Sequence, residues 1–447
     1  MKKTLWIIVS HLFKLFTDTA PIIVFCRNLI IATLVVVILH AFDDTAFFKE
    51  NRDYVLDHIM YWHSDYGADT HKTNIQRLAL FNIDDKAYRA WGALLITPRD
   101  KLKTLIEKAV NGGANVIIVD IDFAWHTDAS LFKPNNPLSI ADKRLGIYLQ
   151  KLNQDPNAPI IILNRLYRYP LNNQGKIDTA QFLQKTPSFL DSYIKQQKNV
   201  FWASAFYKPD SDYVLRRWEI ISLICDDNQL NAVPSMQLMA ALAQQYTRTQ
   251  NHQIAAQALQ NYQQQLSQWA KNTNCENAMT LQKLCQTKNC EQLDVILPFV
   301  EKYQSNFEIK IASSHTSQKV FYRFAPDEVP NFHRKSLIDN YRALDVINDE
   351  IDVMGQIVLI GTTHKENGDK HFIPIRGQPV DGVYIIANAI DTLMQFGQLQ
   401  PENCKFIFSL IIILISTLIF TYLHSLIAFL LTFVILISLF LYSFTKM

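Results

Sequence analysis

Apolar residues in this chain follow two patterns: long unbroken runs near the ends and short, spaced blocks in the middle. From Phe406 to Phe444 no Asp, Glu, Lys or Arg occurs, about twice the roughly 20 apolar residues one membrane-spanning helix needs. The polar quartet Thr421, Tyr422, His424 and Ser425 divides that run and predicts a helical hairpin, Lys405–Tyr422 and Ser425–Phe444. Near the other end, Asn28–Phe42 is too short to span alone, but extension back to Pro21 reaches spanning length. Pro21 suits a first helical turn, with Asp18 or Thr19 as cap, and Arg27 lies near enough to the helix end to snorkel. The opening TLWIIVSHLFKLF is shorter than a span and is interrupted by Lys14, so it reads as an interfacial helix. Asp43, Asp44 and bulky residues follow the first span, where a cleaved signal peptide would carry small ones.

Between the ends, short apolar blocks alternate with helical stripes. RLALFNID (Arg77–Asp84) reads as a strand ending in carboxylates. Leu102, Leu105, Ile106, Ala109 and Val110 then form a stripe at helical spacing, with Asp100 as cap and Gly112-Gly113 as stop. ANVIIVDID and APIIILN are continuously apolar, as parallel strands buried on both faces are. NVFWASAF and DYVLRRWEIISLIC read as two further strands separated by the turn-like YKPDSD. Beyond Pro234 a Gln-rich region keeps helical spacing at Ala255, Leu259, Tyr262, Leu266 and Trp269, a packing stripe. After a polar stretch around Glu308–Glu350, QIVLIGTT returns as a buried strand and DGVYIIANAIDTLMQFG as a last helix. The expected fold is α/β: a mostly parallel central sheet flanked by helices, with a helical Gln-rich insertion at about 234–304. One N-terminal and two C-terminal transmembrane helices would anchor it.

Charge orients this plan. Lys2, Lys3 and Lys14 precede the first span, Arg27 lies near its start, and Asp43 and Asp44 follow it, placing the N-terminus in the cytoplasm and the middle outside. The resulting organisation is an arm at 1–20, a span at 21–42, an extracytoplasmic domain at 43–403 and a membrane hairpin at 404–447. Three crossings leave Met447 outside, with no cytoplasmic output domain. Over 447 residues the formal net charge is +2, which gives no basic field for nucleic acid. Of six cysteines, Cys225, Cys275, Cys285 and Cys290 fall in the exported part. There they have three possible disulfide pairings, against the plainer reading of Cys225 as a small buried hydrophobe.

Several separated motifs then form a recognisable series: FNIDDKAYRAWG with TPRD, GGANVIIVDIDF, DSDYVLRRWEII, IVLIGTTHKENGDKHFIPI and GVYIIANAIDTLM. Their order, over about Asn74–Gly397, resembles the second class of CHASE domains, extracellular sensory domains associated with cyclases and histidine kinases. The resemblance implies a sensory fold outside the membrane and signalling to a cytoplasmic effector. Three departures stand out. Tyr213 replaces the usual glycine of the arginine-pair motif, Ile386 replaces a histidine of the last helix, and no effector follows. Along the closing loop the resemblance gives Thr362, Asp369 and Pro374 the role of shaping a rim, with Gly361 permitting a close turn.

Candidate chemistry gathers at the strand ends. Asp84 and Asp85 end one strand and Asp120 and Asp122 another, and open α/β sheets bind ligands outside the carboxyl ends of their strands. One of Arg216 and Arg217 would reach these carboxylates, since neighbours on a strand point to opposite faces. The candidate ligand-binding residues are Asp84, Asp85, Asp122, Arg216, Thr362 and Asp369. A structural alternative is a salt-bridge or helix-capping network that fixes the loops. No catalytic or metal residue and no cofactor is expected. Ser204 lacks a GxSxG elbow, Gly368 is followed by Asp369-Lys370 rather than a Walker pair, and His364, Asp369 and His371 read as an ordinary polar loop. The expected function is a membrane-anchored sensor of an unknown small ligand in the inner membrane, signalling through membrane or periplasmic protein partners. The alternative is an envelope scaffold without a small-molecule ligand.

Overall fold

The computed structural model describes residues 21–42, 57, 78–126, 138–270 apart from 173, 179–181, 211, 227–228 and 250, then 295–297, 307–309, 317–322, 338–374, 379–397, and 413–421 apart from 416 and 419–420. The chain divides into two compact units, Met1–Ile59 with Gln400–Met447, and Met60–Leu399.

In the first unit, α1 (Pro21–Phe42) is one 22-residue helix. Among the described residues no helix is long and apolar enough to cross a membrane. The side chains of α1 are described only within 22–37, short of the roughly 20 residues a span needs. The expected arm at 1–20 and nearly all of the expected hairpin lie outside the described residues. Among the described residues of this unit, threonine hydroxyls bond within their own segments. Thr33, Thr417 and Thr421 donate to the carbonyls four residues back, at 2.8, 2.6 and 2.7 Å. Asn28 Nδ2 donates to Thr421 Oγ1 at 3.3 Å, joining the two ends of the sequence.

The second unit begins with β1 (Leu78–Ile83), α2 (Asp85–Ala90), α3 (Arg99–Asn111), β2 (Val116–Val119), α4 (Ile140–Gln154) and β3 (Ile160–Asn164). Short strands β4 (Tyr167–Arg168) and β5 (Leu183–Lys185) precede β6 (Val200–Ala203). Next come β7 (Tyr207–Lys208), β8 (Arg217–Glu219), β9 (Ile221–Asp226), β10 (Gln229–Pro234), α5 (Met236–Thr249) and α6 (His252–Ala270). Then follow β11 (Val295–Leu297), β12 (Phe307–Ile309), β13 (Ser317–Lys319), β14 (Ile338–Arg342), α7 (Ala343–Asn348) and β15 (Ile357–Thr362). The last elements are β16 (Lys370–His371), β17 (Val380–Asp381) and α8 (Gly382–Phe396).

Six strands make an all-parallel sheet in the order β14-β1-β15-β2-β3-β6. Successive side chains on a strand face opposite sides. Leu80, Ile118, Ile162 and Leu359 therefore enter one core, with α5, α6 and α8. Phe81, Ile117, Ile161 and Ile360 enter the other, with α3, α4 and α7. Burial on both faces is the reason these strands are continuously apolar. From β1 the chain steps through α3 to β2 and through α4 to β3 on one face. It returns from β6 to β14 by way of α5 and α6 on the other, then steps through α7 to β15 on the first. Reversing direction together with face keeps each crossover right-handed.

The expected α/β class and mostly parallel sheet are present, with local differences. Asp100 lies in the first turn of α3, not at its cap; the N-cap position is Pro98, with no side-chain bond. Asp100 still favours the positive helix end. DYVLRRWEIISLIC is two strands in two sheets, β8 beside β7 and β13, and β9 beside β10 and β5. The Gln-rich stripe from Ala255 to Trp269 is buried as its spacing predicts. Residues 271–294 of the expected insertion lie outside the described residues. Within the polar stretch, β14 and α7 complete the sheet edge and one layer.

Candidate functional site

The chain leaving β15 parts from those of its neighbours. β1 and β2 lead to α2, α3 and α4 on one face of the sheet, whereas β15 between them leads to α8 on the other. Loops that diverge at the carboxyl ends of parallel strands open the crevice in which α/β sheets bind ligands. Gly361, at the end of β15, permits close packing of α8, since a Cβ there would lie 2.7 Å from Val383 Cγ2.

Hydrogen bonds stitch this edge together. Thr363 N donates to Ile83 O at 3.1 Å and Thr363 Oγ1 to Asn82 Oδ1 at 2.6 Å. Asp120 N donates to Ile360 O at 2.9 Å. Asp85 Oδ1 accepts from Lys365 N at 2.8 Å, tying the β1 and β15 loops. Asp84 Oδ1 accepts from Ala87 N at 2.9 Å and caps α2, while its Oδ2 is 3.7 Å from Arg342 Nε. Asp122 Oδ1 accepts from Ala124 N at 2.7 Å. The Asp122 and Trp125 carbonyls accept from Arg99 Nη2 at 2.9 and 2.8 Å. Arg99 is buried beneath Phe123 and Phe189. Burial lowers its pKa to about 10, opposed by Asp142 and Asp122.

Arg216 is engaged within its own turn, with Asp212 Oδ1 and Oδ2 both at 2.8 Å and Asp210 Oδ2 at 3.1 Å. Its hydrogen bond holds Asp212 below the usual carboxylate range. Arg217 pairs with Asp210 at 2.5 Å. This turn borders the closing loop, because Leu215 N donates to Phe372 O at 2.7 Å. The Thr362 carbonyl accepts from Asn367 Nδ2 at 2.9 Å. His364 stacks on Tyr88 with ring centroids 4.0 Å apart, and desolvation lowers its pKa. Among the described residues no three His, Cys, Asp or Glu side chains are grouped to hold a metal.

Several groups with displaced pKa values surround Asp369. Its Oδ1 lies 2.7 Å from His371 Nε2, and its carbonyl accepts from Gly382 N at 2.9 Å. Its carboxylate rests against Gly382 at the start of α8, in space a Cβ would fill. Asp120 accepts from Asn164 Nδ2 at 3.0 Å. Burial, then the nearby Asp369, push the Asp120 carboxyl up to about 7. Burial pushes Asp381 up to about 6 against the pull of Lys370, whose Nζ is 3.8 Å from Oδ1. Tyr207 rises well above its usual value through burial and through Asp120 and Asp369, and its hydroxyl donates to Gly382 O at 3.2 Å.

Of the sequence candidates, Asp369 thus sits in this cluster. Asp84, Asp85 and Asp122 organise loops beside it, and Arg216 pairs in the adjoining turn. Sequence reasoning passed over Asn164, Tyr207 and Asp381. Asn164 and Asp381 carried the signal of a polar residue at a strand end or helix start, whereas Tyr207 carried none. The chemistry available is retention of a proton near neutral pH and attraction of a positively charged group.

A parallel sheet covered on both faces, with a polar carboxyl edge where its loops diverge, defines an open α/β domain with helices on both sides. The chain belongs to the CHASE2 domain family, whose model matches residues 31–423. CHASE2 domains are extracellular sensory domains. Neither a curated protein nor a solved structure matches the chain.

Proposed function

We propose that this chain is a membrane-anchored extracytoplasmic sensor that binds a small ligand at the carboxyl edge of its sheet and signals through partner proteins. Family membership over residues 31–423 carries the reading. The compartment is supported by Cys225, which is disulfide-bonded. Such bonds persist in oxidising compartments. Anchoring is supported by the charge-free run Phe406–Phe444, the 22-residue α1 and the Asn28–Thr421 hydrogen bond. That bond joins the first half of α1 to Thr421, as antiparallel spans would.

The test is a thermal-shift screen of small cationic and neutral solutes against the full-length protein in detergent. A hit whose shift is lost in Asp369→Asn and kept in Asp226→Asn supports the reading; hits indifferent to Asp369 oppose it. A scaffold role is the second reading, favoured by the internal partners of Asp84, Asp85, Asp122 and Arg216. A stoichiometric protein complex recovered unchanged with Asp369→Asn would favour it.

A further inference from the structure

Asparagine followed by glycine occurs twice in the chain, at Asn111-Gly112 and at Asn367-Gly368, and the fold treats the two pairs differently. In such a pair the glycine nitrogen can attack the asparagine side-chain carbonyl, because no Cβ on the following residue obstructs the approach. The reaction needs that nitrogen open to solvent and free of a hydrogen bond. At the first pair neither condition holds. Gly112 N donates to Lys108 O at 2.9 Å at the end of α3, and a Cβ on Gly112 would lie 2.4 Å from Ile351 O. At the second pair both hold. Gly368 is exposed, nothing lies within 4 Å of where its Cβ would be, and its N–H has no partner among the described residues. Asp369 N donates to Asn367 Oδ1 at 3.3 Å, so a backbone N–H already faces the oxygen on which negative charge builds during attack.

We infer that Asn367 is a site of spontaneous deamidation, with solvent water as the only co-reactant. Hydroxide removes the Gly368 amide proton, and the nitrogen forms a bond to Asn367 Cγ. The Cγ–Nδ2 bond then breaks and ammonia leaves, its third proton taken from water, which closes a five-membered succinimide. Water adds to either imide carbonyl and opens the ring, giving aspartate or, where the chain continues through the side-chain carbon, isoaspartate. One water is consumed and one ammonia released, and nothing is oxidised or reduced. Asn367 Nδ2 donates to Thr362 O at 2.9 Å, fastening the loop to the end of β15. Deamidation removes that donor, sets a carboxylate against the carbonyl and adds a negative charge two residues from Asp369. The rim of the candidate site therefore changes as the molecule ages. The inference is independent of any ligand at the strand ends.

Peptide mapping by mass spectrometry tests it, on full-length protein in detergent aged in mildly alkaline and in mildly acidic buffer, with a denatured sample alongside. In the folded protein the mass gain of an amide-to-acid exchange is expected at Asn367 and not at Asn111, faster in the alkaline buffer, with aspartate and isoaspartate peptides eluting separately. In the denatured sample both asparagines should convert. Gly368→Ala should slow conversion at Asn367 by about tenfold or more. Gly368 lies outside the left-handed region and an added Cβ meets open space, and an unchanged melting temperature would verify folding of the variant. Asn367 intact in the folded protein while it converts in the denatured one, equal rates at Asn111 and Asn367 in the folded protein, or a folded Gly368→Ala variant that converts as fast as the wild type would each overturn the proposal.

Discussion

Tyr213 stands where the resemblance to CHASE motifs implies glycine, and its backbone conformation is one that glycine adopts without strain. It holds φ at 61° with its ring 79% exposed, so it bears left-handed strain with little burial to offset it. Tyr213→Gly is expected to stabilise the domain by about 0.5–1 kcal/mol, read as a higher denaturant midpoint; a lower midpoint would contradict this. Ile386, where the resemblance implies a histidine, is buried in the core shared with α5 and α6. Asp120 makes stability depend on pH. Its folded pKa of about 7 lies above the unfolded value near 3.9, so between them the folded state binds more protons. Stability from this group is therefore full below about pH 4, falls as pH rises towards 7 and levels above. Asp120→Asn should flatten that slope and raise the melting temperature at pH 8, while retaining an acceptor for Asn164. Melting curves between pH 5 and 8 that run parallel in the two proteins would refute the assignment.

At the scale of elements, Asp84 is a cap before it is anything else. Asp84→Ala should cost about 1 kcal/mol in denaturant unfolding; an effect under a few tenths would show that α2 does not depend on that bond. Legibility in the sequence followed burial. β2, β3 and β15 were readable because both faces of the sheet are covered, which makes VIIV and IIIL unbroken apolar runs. β14 was not, because an edge strand alternates, and IDNYR buries only Ile338 fully while Tyr341 packs edge-on against Phe81. The break between β8 and β9 leaves no local mark, since the chain changes sheets at a buried isoleucine, Ile220. At the site, Asp369 stood out from its loop and Asp120 from its strand. Tyr207 joins them only through tertiary packing, which no spacing encodes.

For the whole molecule, the sensory domain has a definite polarity. Its strands point their carboxyl ends at the acidic cluster, and α8 starts there, where Gly382 N donates to Asp369 O. The Asp369 carboxylate is lodged against Gly382, so under the proposed function a ligand that shifts it would act on the first turn of α8. The central claim is that this domain lies outside the cytoplasm. A reporter enzyme that matures only in an oxidising compartment tests this most directly when joined after Gly397 in one fusion and before Met1 in another. The Gly397 fusion should be active and the Met1 fusion inactive. An inactive but stably produced Gly397 fusion, or activity only at Met1, would contradict the account.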